Sequence, residues 1–483
     1  MDSLDLHNIQ GHILPGFLTD FQILLFLRIR DAQLFKLWLL AVLPHITTAS
    51  KEVQYQLLRK AAQKAKTIRV SKAIQIGMPR QKVTAIQNET DPLQLMDNLR
   101  LSIAFSYRGL EKLATDADQF RDQAFKEGMA ERYKHLGDSR NKSRWKVGGR
   151  PKVNEADALI IVAGNDKAAL CEEARVVVER LKGAAVKIHC DLGNHLPGRQ
   201  EHFGFKDAIS QPGLRGFDLN KASSDLVWPG EFLFGYPGQN SQDLQRPGAV
   251  SKAGPAWSKD GSFLVFRRLK QDVPGFWSFL RKQAEDLRIA EEFLAEKFVG
   301  RRMNGIPLIP RRRRASSADP FSFKSMDPHG YSCPFASHIR KSYPRDDEAY
   351  VSHELVNLEM SQTHRLLRRG IPYGLPYPHA NSTDSFPDDL EDRGLLFMCY
   401  QTSIVNQFEH VMKHMNDPDF KVPGAGVDPL IGRNKSGRRF RLTLQRGDKP
   451  KTLTLPKQPW VTPTGGGYFF VPSIEALQET LSQ

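Results

Sequence analysis

The sequence is poor in cysteine and lacks several motifs that would place it in a common protein class. Its 483 residues include four cysteines, which are widely scattered and form no CxxC pair: Cys171, Cys190, Cys333 and Cys399. A disulfide framework or a structural zinc site is therefore not expected. The GxGxxG and GxxxxGK[ST] phosphate loops and the HExxH zinc motif are also absent.

The sequence also lacks a hydrophobic run long enough to cross a bilayer. The most apolar stretch near the N-terminus, Leu34 to Leu43, is short and is interrupted by Lys36. The first residues, MDSLDLHNIQGHILPGF, carry acidic side chains where a secretory signal would be basic. We therefore expect a cytoplasmic protein made in a reducing compartment, with no membrane association.

What the sequence has in excess is positive charge. Lys and Arg number 69 against 54 for Asp and Glu, which gives a net charge of +15. This balance favours anionic partners such as nucleic acid, an acidic membrane surface, or small sulfonated or carboxylated molecules. The run Arg311–Arg314 lies in a polar stretch and predicts a basic loop at about residues 300–330. Because no aromatic-studded binding motif accompanies it, nucleic acid is not expected as a partner.

Two strand-like segments are each followed by an aspartate and a helix-like segment. Residues 21–29 (FQILLFLRI) precede Asp31, and residues 262–269 (SFLVFRRL) precede Asp272. Each aspartate is suited to cap the helix after it, and Pro274 suits a first helical turn. Strand-like runs at 99–107, 158–163 and 395–401 are also followed by helix-like segments. The pattern predicts two similar α+β units packed together, although chance likeness among ordinary strand-helix units remains an alternative.

One segment with candidate chemistry is EHFGFKDAISQPGLRG, at residues 201–216. Asp207 lies among small residues that permit a tight turn and the close approach of a flat ligand. A carboxylate held in such a turn can take and return a proton. The alternative is a turn or capping aspartate.

A second segment is CPFASHIRKSYPRDD, at residues 333–347. His338 offers an imidazole, which is a good ligand for iron, and the cations after it would suit an anionic ligand. The third is THRLLRRGIPYG, at residues 363–374, where Arg368 could stabilise negative charge developing on an oxygen. The alternatives are a structural histidine and a basic helix end that stops at Gly370.

Together these three segments resemble the signature segments of the dye-decolourising peroxidase family. EHFGFKDAISQPG is similar to the aspartate motif, HIRKSYPRDD to the proximal-histidine segment and LLRRGIPYG to the distal-arginine segment. Five further stretches are similar, so that the resemblance covers nearly the whole chain in the right order: NIQGHILPGF, GSFLVFRRLKQDVPGF, GLLFMCYQTSIVNQFE, DPLIG and GGGYFFVPSIEAL. It is strongest to the longer forms found among fungi and some bacteria.

The resemblance implies an α+β fold of two ferredoxin-like modules, each an antiparallel sheet with flanking helices. Residues 1–240 would form the N-terminal module, which contributes the distal aspartate. Residues 241–483 would form the C-terminal module, which holds haem b and carries the basic loop.

The resemblance also implies roles for particular residues. His338 would be the axial ligand of the haem iron, with Asp207 and Arg368 as the catalytic pair on the opposite face. The remaining positions would contact the haem or carry electrons: Ala208 and Ile209 against the haem, Arg345 near a propionate, and Tyr373 as an electron relay to large reductants. Trp257, Trp277 and Trp460 are weaker relay candidates, for which core packing is the favoured role.

The sequence departs from the family pattern next to the aspartate. Ala208 replaces the usual glycine and would strain the turn if the backbone there requires a positive φ. Tyr343 stands where asparagine or a smaller residue is common. The acidic partner expected behind His338 is not evident, and Glu409 is the residue we suggest.

The expected function is a peroxidase that reduces hydrogen peroxide and oxidises dyes, phenols and other aromatic reductants, with anionic dyes suited to the positive charge. An unperturbed Asp has a pKa near ~3.9 against ~6.5 for His, so an aspartate base favours activity at acidic pH. One alternative is a haem-binding or haem-handling protein with weak peroxidase activity. Another is a basic protein that binds nucleic acid or an acidic partner, and the oligomeric state is left open.

Overall fold

A computed structural model describes residues 3–76, 78–88, 99–149, 154–219, 221, 225–309, 321–347, 349–351, 354–377 and 391–483. The predicted basic run 311–314 lies outside these residues. None of the helices in the described part combines the length and apolar character that a membrane crossing requires.

The centre of the molecule is one antiparallel sheet that closes on itself. Its strands are β1 (Phe21–Ile29), β2 (Arg100–Phe105), β3 (Ala158–Gly164), β4 (Ala185–Asn194), β5 (Ser262–Gln271), β6 (Leu367–Arg368), β7 (Ile371–Tyr373), β8 (Gly394–Gln401) and β9 (Val461–Val471). The order around the ring is β8-β7-β4-β1-β3-β2-β9-β5, and β5 pairs with β8 to close it. Strand β6 extends the line of β7 along β8.

Each half of the chain contributes one ferredoxin-like sheet to this ring. The N-terminal half supplies β4-β1-β3-β2, and the C-terminal half supplies β7-β8-β5-β9. The two junctions are narrow: Tyr373 opposes Gly193 at one, and Phe470 opposes Phe105 at the other. The α+β prediction is therefore confirmed, with one addition. The sheets join edge to edge, which leaves no exposed edge strand in the ring.

The helices follow the strands as the sequence predicts. Asp31 caps the helix after β1 by accepting a hydrogen bond from Leu34 N–H at 3.0 Å. Asp272 caps the helix after β5 by accepting one from Gly275 N–H at 3.0 Å, with Pro274 in the first turn. The helices are α1 (Ala32–Val42), α2 (Ala49–Gln75), α3 (Arg80–Asn88), α4 (Tyr107–Leu113), α5 (Gln123–Glu127), α6 (Tyr133–Leu136), α7 (Lys167–Arg180), α8 (Val273–Leu287), α9 (Glu291–Val299), α10 (Phe323–Met326), α11 (His338–Ser342), α12 (Leu358–Thr363), α13 (His410–Asn416) and α14 (Ile474–Ala476).

Smaller elements complete the chain. A π-helical segment, Ile404–Glu409, runs directly into α13, and another, Leu477–Leu481, follows α14. Short paired strands lie outside the ring: Gly213–Leu214 with Leu226–Val227, Pro237–Gln239 with Pro247–Val250, Ala349–Val351 with Glu354–Val356, and Arg439–Leu442 with Lys451–Thr454.

The alternation of side chains along the strands divides the core into an outer and an inner part. On β1, Leu25 and Leu27 belong to the outer cluster, which includes Phe35 of α1 and Leu170 of α7. Leu24 and Phe26 face the other way and belong to the inner cluster. Because successive side chains of a strand point to opposite faces, the inner cluster fills the ring and the outer cluster packs against helices.

Candidate active site

A large cavity lies between the outer face of the C-terminal sheet and the segments that cover it. Its floor includes Leu395 and Phe397 of β8, and its opposite wall includes Met412 and Met415 of α13. The sequence-predicted residues that line the cavity come from three distant parts of the chain: Asp207, Ile209, His338, Arg345 and Arg368. The fold therefore brings the three candidate segments to one place.

Asp207 and Arg368 form an ion pair at one side of the cavity. The Nη1 atom of Arg368 donates to Oδ1 of Asp207 at 3.1 Å. Burial alone would raise the pKa of Asp207, but the Arg368 guanidinium, the Ala208 N–H and His338 together outweigh burial and hold that pKa below its ordinary value. Both side chains are about one third exposed, at 39% and 31%, so they remain open to a small molecule in the cavity.

The backbone around this pair is held by the aspartate segment itself. The Nε2 atom of Gln211 donates to the Arg368 carbonyl at 3.0 Å, and Gln211 Oε1 accepts from Arg368 N–H at 3.2 Å. Ala208 has a φ of +60°, the left-handed region that favours glycine. Its N–H donates to Oδ1 of Asp207 at 2.6 Å, so the strained turn also fixes the carboxylate.

His338 is the first residue of α11 and faces the cavity from the other side. Its Nδ1 atom lies 2.8 Å from Oδ2 of Asp428, which is fully buried. The other oxygen of Asp428 accepts from the N–H groups of Leu430 and Ile431, at 2.9 and 2.7 Å. Because Nδ1 is engaged, Nε2 is the ring nitrogen left for a ligand in the cavity.

The suggestion that Glu409 stands behind His338 is wrong. Glu409 accepts from Nε of the buried Arg132 at 2.9 Å and from the Tyr468 hydroxyl at 3.1 Å. Glu409 is the last residue of the π-helical segment, and its carboxylate is engaged by these two partners. The true partner, Asp428, lies in the DPLIG stretch noted for its resemblance. That motif was the available signal, but spacing alone could not connect it to a histidine 90 positions earlier.

The other predicted positions are placed as follows. Arg345 lines the cavity, and its guanidinium lies 4.0 Å from the centre of the Phe321 ring. Tyr373 is buried beside the cavity, outside its lining, with the Arg268 guanidinium 4.0 Å from its ring centre. The Tyr373 hydroxyl donates to Asp392 at 3.1 Å.

Sequence reasoning missed Glu201, which also lines the cavity. Burial raises its pKa to about 7, partly offset by backbone N–H groups and an amide that donate to it. These donors are Phe203 N–H at 3.0 Å, Phe205 N–H at 2.9 Å and Nε2 of Gln271 at 2.6 Å. Glu201 therefore shapes the loop that carries Asp207, and its place in the EHFGF stretch was the signal that could have found it.

Two histidines of α13 and the three candidate tryptophans have packing roles. His410 and His414 share a helix face. The ring of His364 stacks on that of His410 with 3.6 Å between ring centres, and the ring of Phe420 stacks on that of His414 with 4.2 Å between ring centres. Within the described part of the chain, no group of three or more His, Cys, Asp or Glu side chains could hold a metal ion. The three tryptophans lie in or against the hydrophobic clusters: Trp257, Trp277 and Trp460.

Comparison with known proteins extends the similarity to the whole chain. Residues 8–197 match the family described as DyP dimeric alpha+beta barrel domain, and residues 235–422 match Dyp-type peroxidase, C-terminal. The dye-decolorizing peroxidase of Mycena epipterygia is 30% identical over 521 residues, which cover 99% of this chain and 87% of that protein.

Solved structures show the same similarity in three dimensions. An ancestral D-type dye-decolorizing peroxidase is 30% identical with a TM-score of 0.76, and the match covers 100% of both chains. A dye-decolorizing peroxidase in complex with 2,6-dimethoxyphenol is 27% identical with a TM-score of 0.75, covering 99% of this chain and 100% of that one.

Proposed function

Because the chain belongs to the dye-decolourising peroxidase family, whose members are haem enzymes, we propose that its large cavity would hold haem b, with His338 as the residue that would bind the iron. The chain is a haem-dependent peroxidase that acts on hydrogen peroxide and aromatic reductants such as dyes and phenols. The single observation that carries the residue assignment is the convergence on one cavity of an imidazole backed by a carboxylate and of a carboxylate-guanidinium pair.

The residues present are suited to this cofactor. Nε2 of His338 is the donor that haem iron takes from a histidine, and Asp428 fixes the tautomer and increases the basicity of the ring. The walls are largely apolar, and Arg345 supplies a cation for a carboxylate of the macrocycle. When bound, the haem would supply the redox chemistry, while the protein positions and polarises the reactants.

Asp207 would move a proton between the two oxygens of hydrogen peroxide. Its lowered pKa keeps the carboxylate ionised at acidic pH, so that Oδ1 or Oδ2 can take the proton from one oxygen and return it to the oxygen that leaves as water. Arg368 would stabilise the negative charge that develops as the O–O bond breaks. The rate of this step should fall only when the pH drops through the lowered pKa of Asp207.

The charges around the cavity favour anionic aromatic reductants. Six arginines line it against three carboxylates: Arg267, Arg301, Arg345, Arg365, Arg368 and Arg433 against Asp138, Glu201 and Asp207. Such an excess attracts sulfonated or carboxylated molecules.

We retain residues 1–240 and 241–483 as the proposed division of the chain, with Asp207 in the first part and His338 in the second.

Rapid mixing with hydrogen peroxide tests these roles. Asp207→Asn and Arg368→Leu should bind haem with an unaltered ferric spectrum, yet react with peroxide about 100-fold more slowly or worse. His338→Ala should weaken haem binding or change the ferric spectrum. Glu172→Gln, a change on the exposed face of α7, serves as the control. An unaltered spectrum in His338→Ala, or an undiminished rate in Asp207→Asn, would contradict the assignment.

A further inference from the structure

A tyrosine and a histidine form a buried pair inside the ring of strands, behind the wall of the cavity. The Tyr400 hydroxyl lies 2.6 Å from Nδ1 of His12, and both residues are fully buried at 0% exposure. Tyr400 belongs to β8, whereas His12 belongs to the N-terminal segment that enters the ring. The peroxidase chemistry described above uses neither residue.

The environment of His12 sets the direction of this hydrogen bond. Burial and the positive charge of Arg369 lower the pKa of His12 to about 3, although Gln22 opposes the change. The imidazole therefore stays neutral well below the ordinary pKa of a histidine. A neutral ring accepts at one nitrogen, and the burial that raises the pKa of Tyr400 keeps the phenol protonated. In the tautomer with its proton on Nε2, Nδ1 of His12 accepts from the phenol O–H.

The pair is one strand away from the catalytic arginine. In the pairing of β6 with β8, Arg368 opposes Cys399 and Leu367 opposes Tyr400. Arg368 faces the cavity, while Tyr400 points to the inner face of the same sheet. Opposed residues of an antiparallel pair have Cα atoms about 5 Å apart. The phenol therefore lies on the inner face of the strand whose outer face lines the cavity, and the sheet separates it from reductants in the cavity.

We propose that Tyr400 and His12 are a proton-coupled redox pair, in which Tyr400 stores one oxidising equivalent of the peroxide-treated enzyme. In this step an electron leaves the phenol for the oxidised cofactor, which is reduced by one electron. The phenol proton moves at the same time to Nδ1 of His12, giving a neutral tyrosyl radical and an imidazolium. An electron from an aromatic reductant, with return of the proton, restores both side chains. The inference rests on the proposed function, because peroxide supplies the oxidant.

Tyr373 and Tyr400 differ in the charged groups that surround their rings. The Arg268 guanidinium covers the Tyr373 ring at 4.0 Å, and a cation at a ring face opposes removal of an electron from that ring. Near Tyr400, the guanidinium of Arg369 donates hydrogen bonds to backbone carbonyl oxygens, including one from Nη2 to the Ile13 carbonyl at 2.9 Å. The charge of this guanidinium opposes an imidazolium at His12, and it therefore drives the proton back to the phenol once the radical is reduced.

Electron paramagnetic resonance of the freeze-quenched holoenzyme tests the proposal. Wild-type enzyme mixed with one equivalent of hydrogen peroxide, without a reductant, should show a tyrosyl radical. Tyr400→Phe should lose this signal, and His12→Gln should lose it or form it more slowly with a changed line shape. Tyr236→Phe is the matched control, because Tyr236 is also buried in the inner cluster and also donates to a side chain, Asp260. Its signal should be unchanged.

The outcomes separate this inference from the proposed function. If peroxide causes no optical change in the wild-type haem enzyme, the proposed function fails. If the optical change is normal in all variants but the radical persists in Tyr400→Phe, or disappears in Tyr373→Phe instead, the inference alone is overturned. Circular dichroism and the ferric spectrum of each variant show whether it is folded. If Tyr400→Phe does not fold, His12→Gln becomes the deciding variant. An unchanged tyrosyl radical signal in His12→Gln would also overturn the inference.

Discussion

Ala208 shows how a single side chain can be strained without displacing its neighbours. A residue with a Cβ atom in the left-handed region costs about 1–2 kcal/mol, which glycine avoids. The chain nevertheless keeps Asp207 bonded to both the Ala208 N–H and the Arg368 guanidinium. The positive φ of Ala208 is therefore compatible with both hydrogen bonds of Asp207, and the segment is also fixed through Gln211.

We predict that Ala208→Gly raises the stability of the protein by about 1 kcal/mol and leaves the reaction with peroxide unchanged. The gain follows from relief of the positive φ, and the rate is preserved because the backbone N–H remains. Chemical denaturation and rapid mixing measure the two quantities. Ala249→Gly, in a short exposed strand, is a comparison in which no such gain is expected. A large fall in rate would show that the methyl group has a role in the site.

Tyr373 remains a predicted relay for reductants too large to enter the cavity. We expect Tyr373→Phe to lose turnover of bulky dyes while turnover of small phenols is retained, because only the former need a path through the protein. Steady-state rates with both kinds of substrate measure this, with Tyr377→Phe as a neighbouring buried control. Equal retention of both activities would dismiss Tyr373 as a relay.

At the scale of elements, two carboxylates near α13 have separate tasks. Asp428 orients His338 at the start of α11, whereas Glu409 joins the end of the π-helical segment to Arg132 just before α6. Both acids are buried, but only the first acts on the proposed iron ligand.

These tasks predict opposite results for two isosteric changes. Asp428→Asn should raise the reduction potential of the bound haem, because a less basic imidazole stabilises the ferric state less. Glu409→Gln should leave that potential unchanged but lower the free energy of unfolding by about 3 kcal/mol, since it leaves a buried arginine without its carboxylate. Spectroelectrochemistry and denaturation separate the two. A potential that shifts with Glu409→Gln would restore it as the partner.

At the scale of the whole molecule, burial keeps several histidines neutral. Burial is the first cause that lowers the pKa of His410 to about 3 and that of His414 to about 2, and neighbouring cations add to it. In the unfolded chain the same groups titrate near ~6.5. Below that pH these histidines bind protons in the unfolded state but not in the folded state. The free energy of unfolding therefore falls as the pH falls.

We predict that His414→Leu weakens this acid sensitivity. One such histidine contributes a slope of up to about 1.4 kcal/mol for each pH unit below about 6.5. The difference in unfolding free energy between variant and wild type should therefore shift in favour of the variant between pH 7.5 and pH 4.5. His7→Leu, at a more exposed position, is the control. A difference that does not depend on pH would contradict the explanation.

Local patterns in the sequence predicted much of the architecture. Apolar runs followed by a capping aspartate predicted β1 with α1 and β5 with α8, because strands and helix caps depend on neighbouring residues. The three motifs identified Asp207, His338 and Arg368 as the residues of one site. Their meeting could be expected from the family resemblance but not from spacing, since Asp207 and Arg368 are 161 positions apart.

The sequence by itself thus determined several strand-helix units, such as β1 with α1 and β5 with α8, and which side chains are the candidates for the chemistry. Only the tertiary structure decided that the two sheets close into one ring, that Asp428 rather than Glu409 supports His338, and that Tyr400 meets a histidine 388 positions away. The reason is physical. Local propensity acts over a few residues, whereas strand register and the packing of distant segments depend on the whole chain at once.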